Sequence, residues 1–266
     1  MDAGEYEQLR MLFNDYAKSF FGDDNYINAN LQLKLDHTYR VFDEMRYLAD
    51  RLKLSQPNKM IALTTALLHD IGRFPQFVRY KTYNDCRSIN HCKLGANELL
   101  RLKVLDAFPE QERRYILAAV KYHGAVDLPA DLSGETLLHC RLIRDADKID
   151  IYHVVLTCYA EYLKDPQHFQ LELDFPDTPG YSPELLESLS QGQPLLYSRL
   201  KTLNDLKLMQ LGWVFNINFT AALERIQQRG YLKQLADYLP DVPELKQFCC
   251  MVFDYVDRRI AEGENS

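Results

Sequence analysis

Histidine and aspartate recur through the first half of this sequence where each could bind a metal ion or move a proton. His69 and Asp70 stand side by side, directly after the apolar run Met60 to Leu68 and before the breakers Gly72 and Pro75. His37 lies upstream, and His91 and His123 lie downstream. The acidic run Arg144-Asp145-Ala146-Asp147-Lys148-Ile149-Asp150 follows. Imidazole and carboxylate together suit a divalent metal of borderline hardness. A single His-Asp pair arises often by chance and can do no more than cap a helix or pair with a neighbour. The ordered set carries more weight, because each member lies in or beside a helical pattern. Asp70, at the C-terminal end of an apolar helix, opposes the helix dipole, a conflict that a bound cation removes.

The order His37, His69-Asp70, His91, His123, Asp147 resembles the HD-domain metalloprotein superfamily, most of whose characterised members are metal-dependent phosphohydrolases. The resemblance spans roughly residues 30 to 160. Asn90-His91-Cys92-Lys93-Leu94-Gly95-Ala96, and His123 before Gly124, look like elements of the HD-GYP cyclic-dinucleotide phosphodiesterases. The GYP signature itself is absent, since the chain reads Gly124-Ala125-Val126-Asp127-Leu128-Pro129, so that specificity is not carried over. The resemblance implies an all-α fold, an HD-domain helical bundle with additional C-terminal helices. It implies two divalent ions per chain, bridged by Asp70, with His37, His69 and Asp147 on one and His91 and His123 on the other. Nitrogen and oxygen ligation suits manganese, iron, cobalt or zinc. Two such ions stabilise the attacking and leaving oxygens of a phosphoester hydrolysis. Asp147 ranks above Asp145 as the last ligand, and Asp150 is placed to hydrogen-bond a ligating imidazole. Arg73 and Lys81 are the expected phosphate contacts, and Lys148 joins Arg73 in neutralising phosphoryl oxygens. Mixed-valence di-iron oxygenases of the same superfamily use a matching four-His, two-Asp set. A third reading is a binding protein that keeps the site without turnover.

Helices must position these residues. Periodicity predicts helices over 5–21 and 32–54, the second carrying His37 on a stripe with Leu33, Val41, Met45 and Leu48. A loop with Pro57 follows, then an almost wholly apolar helix from 59 to 69 or 70, suited to the middle of a bundle. Residues 73–81 read as a basic, aromatic loop. Asp85 either orients a ligand or caps the next helix. Further helices are expected after His91, over 110–122 ending on His123, and over 133–162 with a break near 145. His139 and His153 read as satisfied core or near-core histidines, and His168 as surface. Residues 165–182 read as a linker or long loop between a metal-binding domain (1–164) and a C-terminal helical region (183–262) packing on it. That region is expected to hold helices at 183–190, 195–210, 215–229, 231–238 and 243–262. Asp205 is a weak candidate for reaching the site. The last helix either packs back on the bundle or makes a homodimer contact.

With 266 residues, 47% of them apolar, the chain can bury a sizeable core. The formal charge of -7, with both signs interspersed, argues against a broad nucleic-acid surface and leaves room for one small phosphorylated molecule. No apolar stretch reaches the length of a membrane span, and the N-terminal residues lack a signal pattern. Six cysteines without a CxxC pair read as mostly buried thiols. A cytoplasmic protein is expected.

Overall fold

Apolar residues recurring every three to four positions produce helices throughout. The structure is a computed structural model that describes residues 3–167, 175–193 and 195–263, and no strand occurs among them. His168 lies outside the described residues. The chain divides into two compact units, Met1–Asp150 and Ile151–Ser266.

In the first unit, α1 (Ala3–Lys18) precedes α2 (Asn25–Arg51), α3 (Gln56–Leu68), α4 (Arg73–Tyr80), α5 (His91–Leu102) and α6 (Glu110–Tyr122). α7 (Gly134–Lys164) runs unbroken past Asp145 and crosses the boundary between the units. α2 packs on α3 and α4, α3 on α1 and α6, and α5 on α4 and α6. Phe13, Leu31, Leu67, Phe74, Leu99 and Ile116 lie in the core these helices enclose, each at most 2% exposed. Full burial of one such side chain contributes roughly 1.5–3 kcal/mol. Leu12 on α1 faces away from this core and is 54% exposed.

Three local signals shift the elements from their expected bounds. α2 begins at Asn25 rather than at 32, because the Asp24 carboxylate accepts from the Ile27 N–H as an N-cap. α3 starts at Gln56 because Ser55 caps it and Pro57 falls in the first turn, where the missing N–H costs nothing. Residues 73–80 form a helix rather than a loop. Pro75 again sits in the first turn, Phe74 and Phe77 are fully buried, and Lys81 ends the helix in the left-handed region with φ of 57°.

In the second unit α8 (Pro183–Ser190), α9 (Leu203–Gly212), α10 (Thr220–Gln228), α11 (Tyr231–Ala236) and α12 (Pro243–Glu262) follow the end of α7. α12 packs on α8, α9 and α10. The expected helix from 195 begins only at Leu203, where Thr202 and Asp205 form a capping box. Asp205 also accepts from the Ser182 N–H at 2.7 Å and its hydroxyl at 3.0 Å, so its oxygens are spent on this turn. Tyr152 donates to the Gln210 carbonyl and Tyr159 to the Gln210 side chain. No disulfide joins the cysteines: Cys92, Cys140 and Cys249 are buried, while Cys86 and Cys250 are exposed.

Candidate metal centre

Four imidazoles converge in the first unit, and each is turned by a partner on its Nδ1. His37 sits mid-α2 on the face that buries Val41, Met45 and Leu48. Its Nδ1 is 2.7 Å from Asp150 Oδ2. Asp150 is fully buried and also accepts from Arg40 Nε at 2.7 Å. His69 follows the last residue of α3, and its Nδ1 lies 2.8 Å from the Ala66 carbonyl. His91 opens α5 behind the Asn90 cap, with Nδ1 2.7 Å from Asp85 Oδ2. His123 follows α6, with Nδ1 2.8 Å from the Val120 carbonyl. Two histidines are thus oriented by carboxylates from elsewhere in the chain and two by the carbonyl three residues back.

Carbonyl oxygens only accept, and Asp85 and Asp150 are held below the ordinary carboxylate range despite their burial, by His91 and His37 respectively. All four Nδ1 atoms therefore carry the hydrogen. In the neutral ring that leaves a lone pair on every Nε2. These lone pairs face one another: His91 and His123 Nε2 are 3.1 Å apart, and His37 and His69 Nε2 are 3.4 Å apart. Two lone pairs at that range repel unless a cation or proton lies between them.

The carboxylates complete the convergence. Asp70 turns Oδ2 toward one pair, 3.6 Å from His37 Nε2 and 3.7 Å from His69 Nε2. It turns Oδ1 toward the other, 3.6 Å from His91 Nε2 and 3.5 Å from His123 Nε2. Asp147 Oδ1 lies 3.1 Å from His37 Nε2 and 3.7 Å from His69 Nε2. Donors about 2.0–2.1 Å from one tetrahedral ion stand about 3.3 Å apart, so these edges fit metal-sized gaps. Among the described residues, the groups of donor atoms close enough to share an ion are His37-His69-Asp70, His69-His123-Asp147 and His91-Cys92-His123. The side chains fit a metal centre by donor type, orientation and spacing.

The electrostatics agree. Burial pushes the Asp70 carboxyl up, but Lys34, His69, His123 and Arg73 outweigh it and hold it well below the usual range. Burial likewise opposes ionisation of Asp147, and His37 and His69 overcome it. Burial and Lys34 disfavour charge on His37, yet Asp147 and Asp150 raise its pKa. Burial raises the Cys92 thiol, and His123 and His91 pull it down to about 5. Burial likewise opposes charge on His123, yet Cys92 and Asp70 raise its pKa well above that of a free imidazole.

Residues 35–152 match the family model described as HD domain. This segment is an HD domain. The curated proteins and the solved structures gave no significant match. No helix among the described residues is long and apolar enough to cross a membrane.

The HD domain places the remaining sequence candidates in three settings. Arg73 is largely engaged in the scaffold: its NH1 donates to Gln76, the Tyr83 carbonyl and Asp85, and its Nε stands 3.5 Å from Asp70 Oδ1. Lys81 is an exposed helix cap. Lys148 is half-buried, and burial with Arg144 lowers its pKa to about 8. Arg144 closes the far side of His123, donating to the carbonyls of His123, Ala125 and Val126. Sequence reasoning missed Lys34, whose ammonium donates to Asp70 Oδ2 at 2.9 Å. Its position three residues before His37, on the same helix face, was the available signal. Cys92 was read only as a buried thiol, although it directly follows His91. His139, expected to be satisfied, is fully buried and stacked on Tyr115 with no hydrogen-bond partner for either nitrogen.

Proposed function

We propose that this HD domain is a metal-dependent phosphohydrolase acting on a small phosphoester, with nucleotides the first class to test. The carrying observation is the convergence of four Nε2 lone pairs on the two oxygens of Asp70. That orientation supports two ions bridged by Asp70, with His37, His69 and Asp147 holding one and His91 and His123 the other. Divalent metal held by these residues would supply Lewis acidity toward phosphoryl oxygen and lower the pKa of a bound water. Lys34 supports an anionic substrate: its side chain is 16% exposed and brings a positive charge to the rim beside Asp70. Lys148 adds a second positive charge next to Asp147. Arg73 fixes Asp85 and through it His91. Asp150 and Asp85 keep the Nε2 lone pairs aimed inward.

The test is elemental mass spectrometry on protein purified without added metal, followed by a phosphoester panel with and without oxygen. Two metals per chain and oxygen-independent phosphate release are expected. Iron with strictly oxygen-dependent turnover would replace the hydrolase by a di-iron oxygenase. Full metal loading without turnover of any phosphoester would leave a binding protein.

A further inference from the structure

Cys92 has no role in the ligand set just described, yet its sulfur points at the same two nitrogens. Cys92 is 2% exposed, with Sγ 3.3 Å from His91 Nε2 and 3.9 Å from His123 Nε2. With the 3.1 Å separation of the two nitrogens, the three donors form a nearly closed triangle. Two imidazoles and one thiolate on a single tetrahedral ion would stand about 3.3 Å apart between nitrogens and about 3.6 Å between nitrogen and sulfur. The observed edges straddle those values. Gly124 leaves the sulfur room, since a Cβ there would meet Sγ at 2.9 Å and His91 Cε1 at 3.2 Å. The imidazoles supply the independent sign of a ligand. Their Nδ1 atoms are committed to Asp85 and Val120, so both lone pairs meet where the sulfur also points.

We propose that Cys92 is a thiolate ligand of the ion held by His91 and His123. The centre is then asymmetric: one ion sees only nitrogen and oxygen, and the other sees nitrogen, oxygen and sulfur. The thiol loses its proton to solvent when the ion binds. A soft sulfur ligand favours zinc, cobalt or iron over manganese or magnesium at that position alone. The inference rests on the metal-centre reading above and deepens it by setting the metal preference of one half.

The test is cobalt(II) loading of the metal-free protein, followed by near-ultraviolet absorption and cobalt stoichiometry. Wild type should show a thiolate-to-cobalt charge-transfer band. Cys92→Ser should lose the band while retaining the other ion, and its zinc-over-manganese preference should fall on the order of tenfold. Cys86→Ser, altering an exposed thiol, should keep the band. Thermal melts of the metal-free variants check that each folds. Cobalt bound to wild type without the band, or a band that survives in Cys92→Ser, overturns the assignment of Cys92 and leaves the metal centre standing. Failure of wild type to bind cobalt overturns the metal-centre reading and this proposal with it.

Discussion

The proposed metal centre depends on single hydrogen bonds that decide which ring nitrogen keeps its lone pair. Asp150→Asn would leave His37 free to rotate or change tautomer, and Asp85→Asn would do the same to His91. Each should weaken metal affinity by about 10–100-fold, measured by competition with a chelating dye, while a folded far-ultraviolet spectrum is kept. Unchanged affinity in both would mean that the rings are fixed by packing alone. Asp147→Ala should lose more metal than Asp145→Ala, because Asp147 Oδ1 faces His37 and His69. The opposite order would move the last ligand to Asp145. His139 gives a separate prediction. Burial lowers its pKa from 6.5 to about 4. Between those values the unfolded chain binds a proton that the folded chain refuses. Stability is therefore lost as pH falls through that window, by up to about 3 kcal/mol. His139→Leu removes both unpartnered nitrogens, so urea unfolding between pH 7 and pH 4 should show a shallower loss than wild type. Equal losses would clear His139 of any part in acid lability.

At the scale of elements, the site needs α5 pressed against the turn that follows His69-Asp70. Gly72 permits this: a Cβ there would meet the His91 carbonyl at 2.4 Å and the Gly95 nitrogen at 2.6 Å. Both are backbone atoms, so a side chain must push the two segments apart. Gly72→Ala should cost roughly 1–3 kcal/mol and displace His91, lowering metal content toward one ion per chain. Two ions and wild-type stability would show that the contact yields cheaply. Much of this arrangement was legible in the sequence. α3 and α6 were read to end on His69 and His123, and the apolar stripe of α2 carried His37 inward. The segment from Arg73 was not legible as a helix, because Gly72 and Pro75 read as breakers while the burial of Phe74 and Phe77 comes from tertiary packing. The start of α2 was hidden by Asn25, Asn28 and Asn30, a turn-like composition that a single N-cap, Asp24, turns into helix. The order of the candidate donors could be read because it lies along the chain. Lys34 and Cys92 could not be given roles, because their meaning is a distance to atoms far off in sequence.

At the scale of the whole molecule, the two compact units differ in what holds them. Among the described residues, every group of side chains close enough to share an ion lies in the first unit. That unit brings together four buried imidazoles and the carboxylates of Asp70 and Asp147, donors that could hold metal ions. The second unit has a core of its own, in which Tyr152, Leu208, Leu211, Leu235 and Val252 are fully buried. Metal binding to the folded state alone adds stability as RT ln(1 + [L]/Kd), about 4.1 kcal/mol when free metal is 1,000 times Kd. That gain belongs to the segments that must order the ligands. Chelation should therefore raise amide hydrogen exchange in α2, α3, α5, α6 and the part of α7 up to Asp150. α9, α10 and α12 should change far less. Peptide-resolved exchange with and without metal measures this directly. A uniform rise along the whole chain would mean that the two units unfold as one, with metal stabilising both. No rise in the first unit would remove the metal from the forces that hold it.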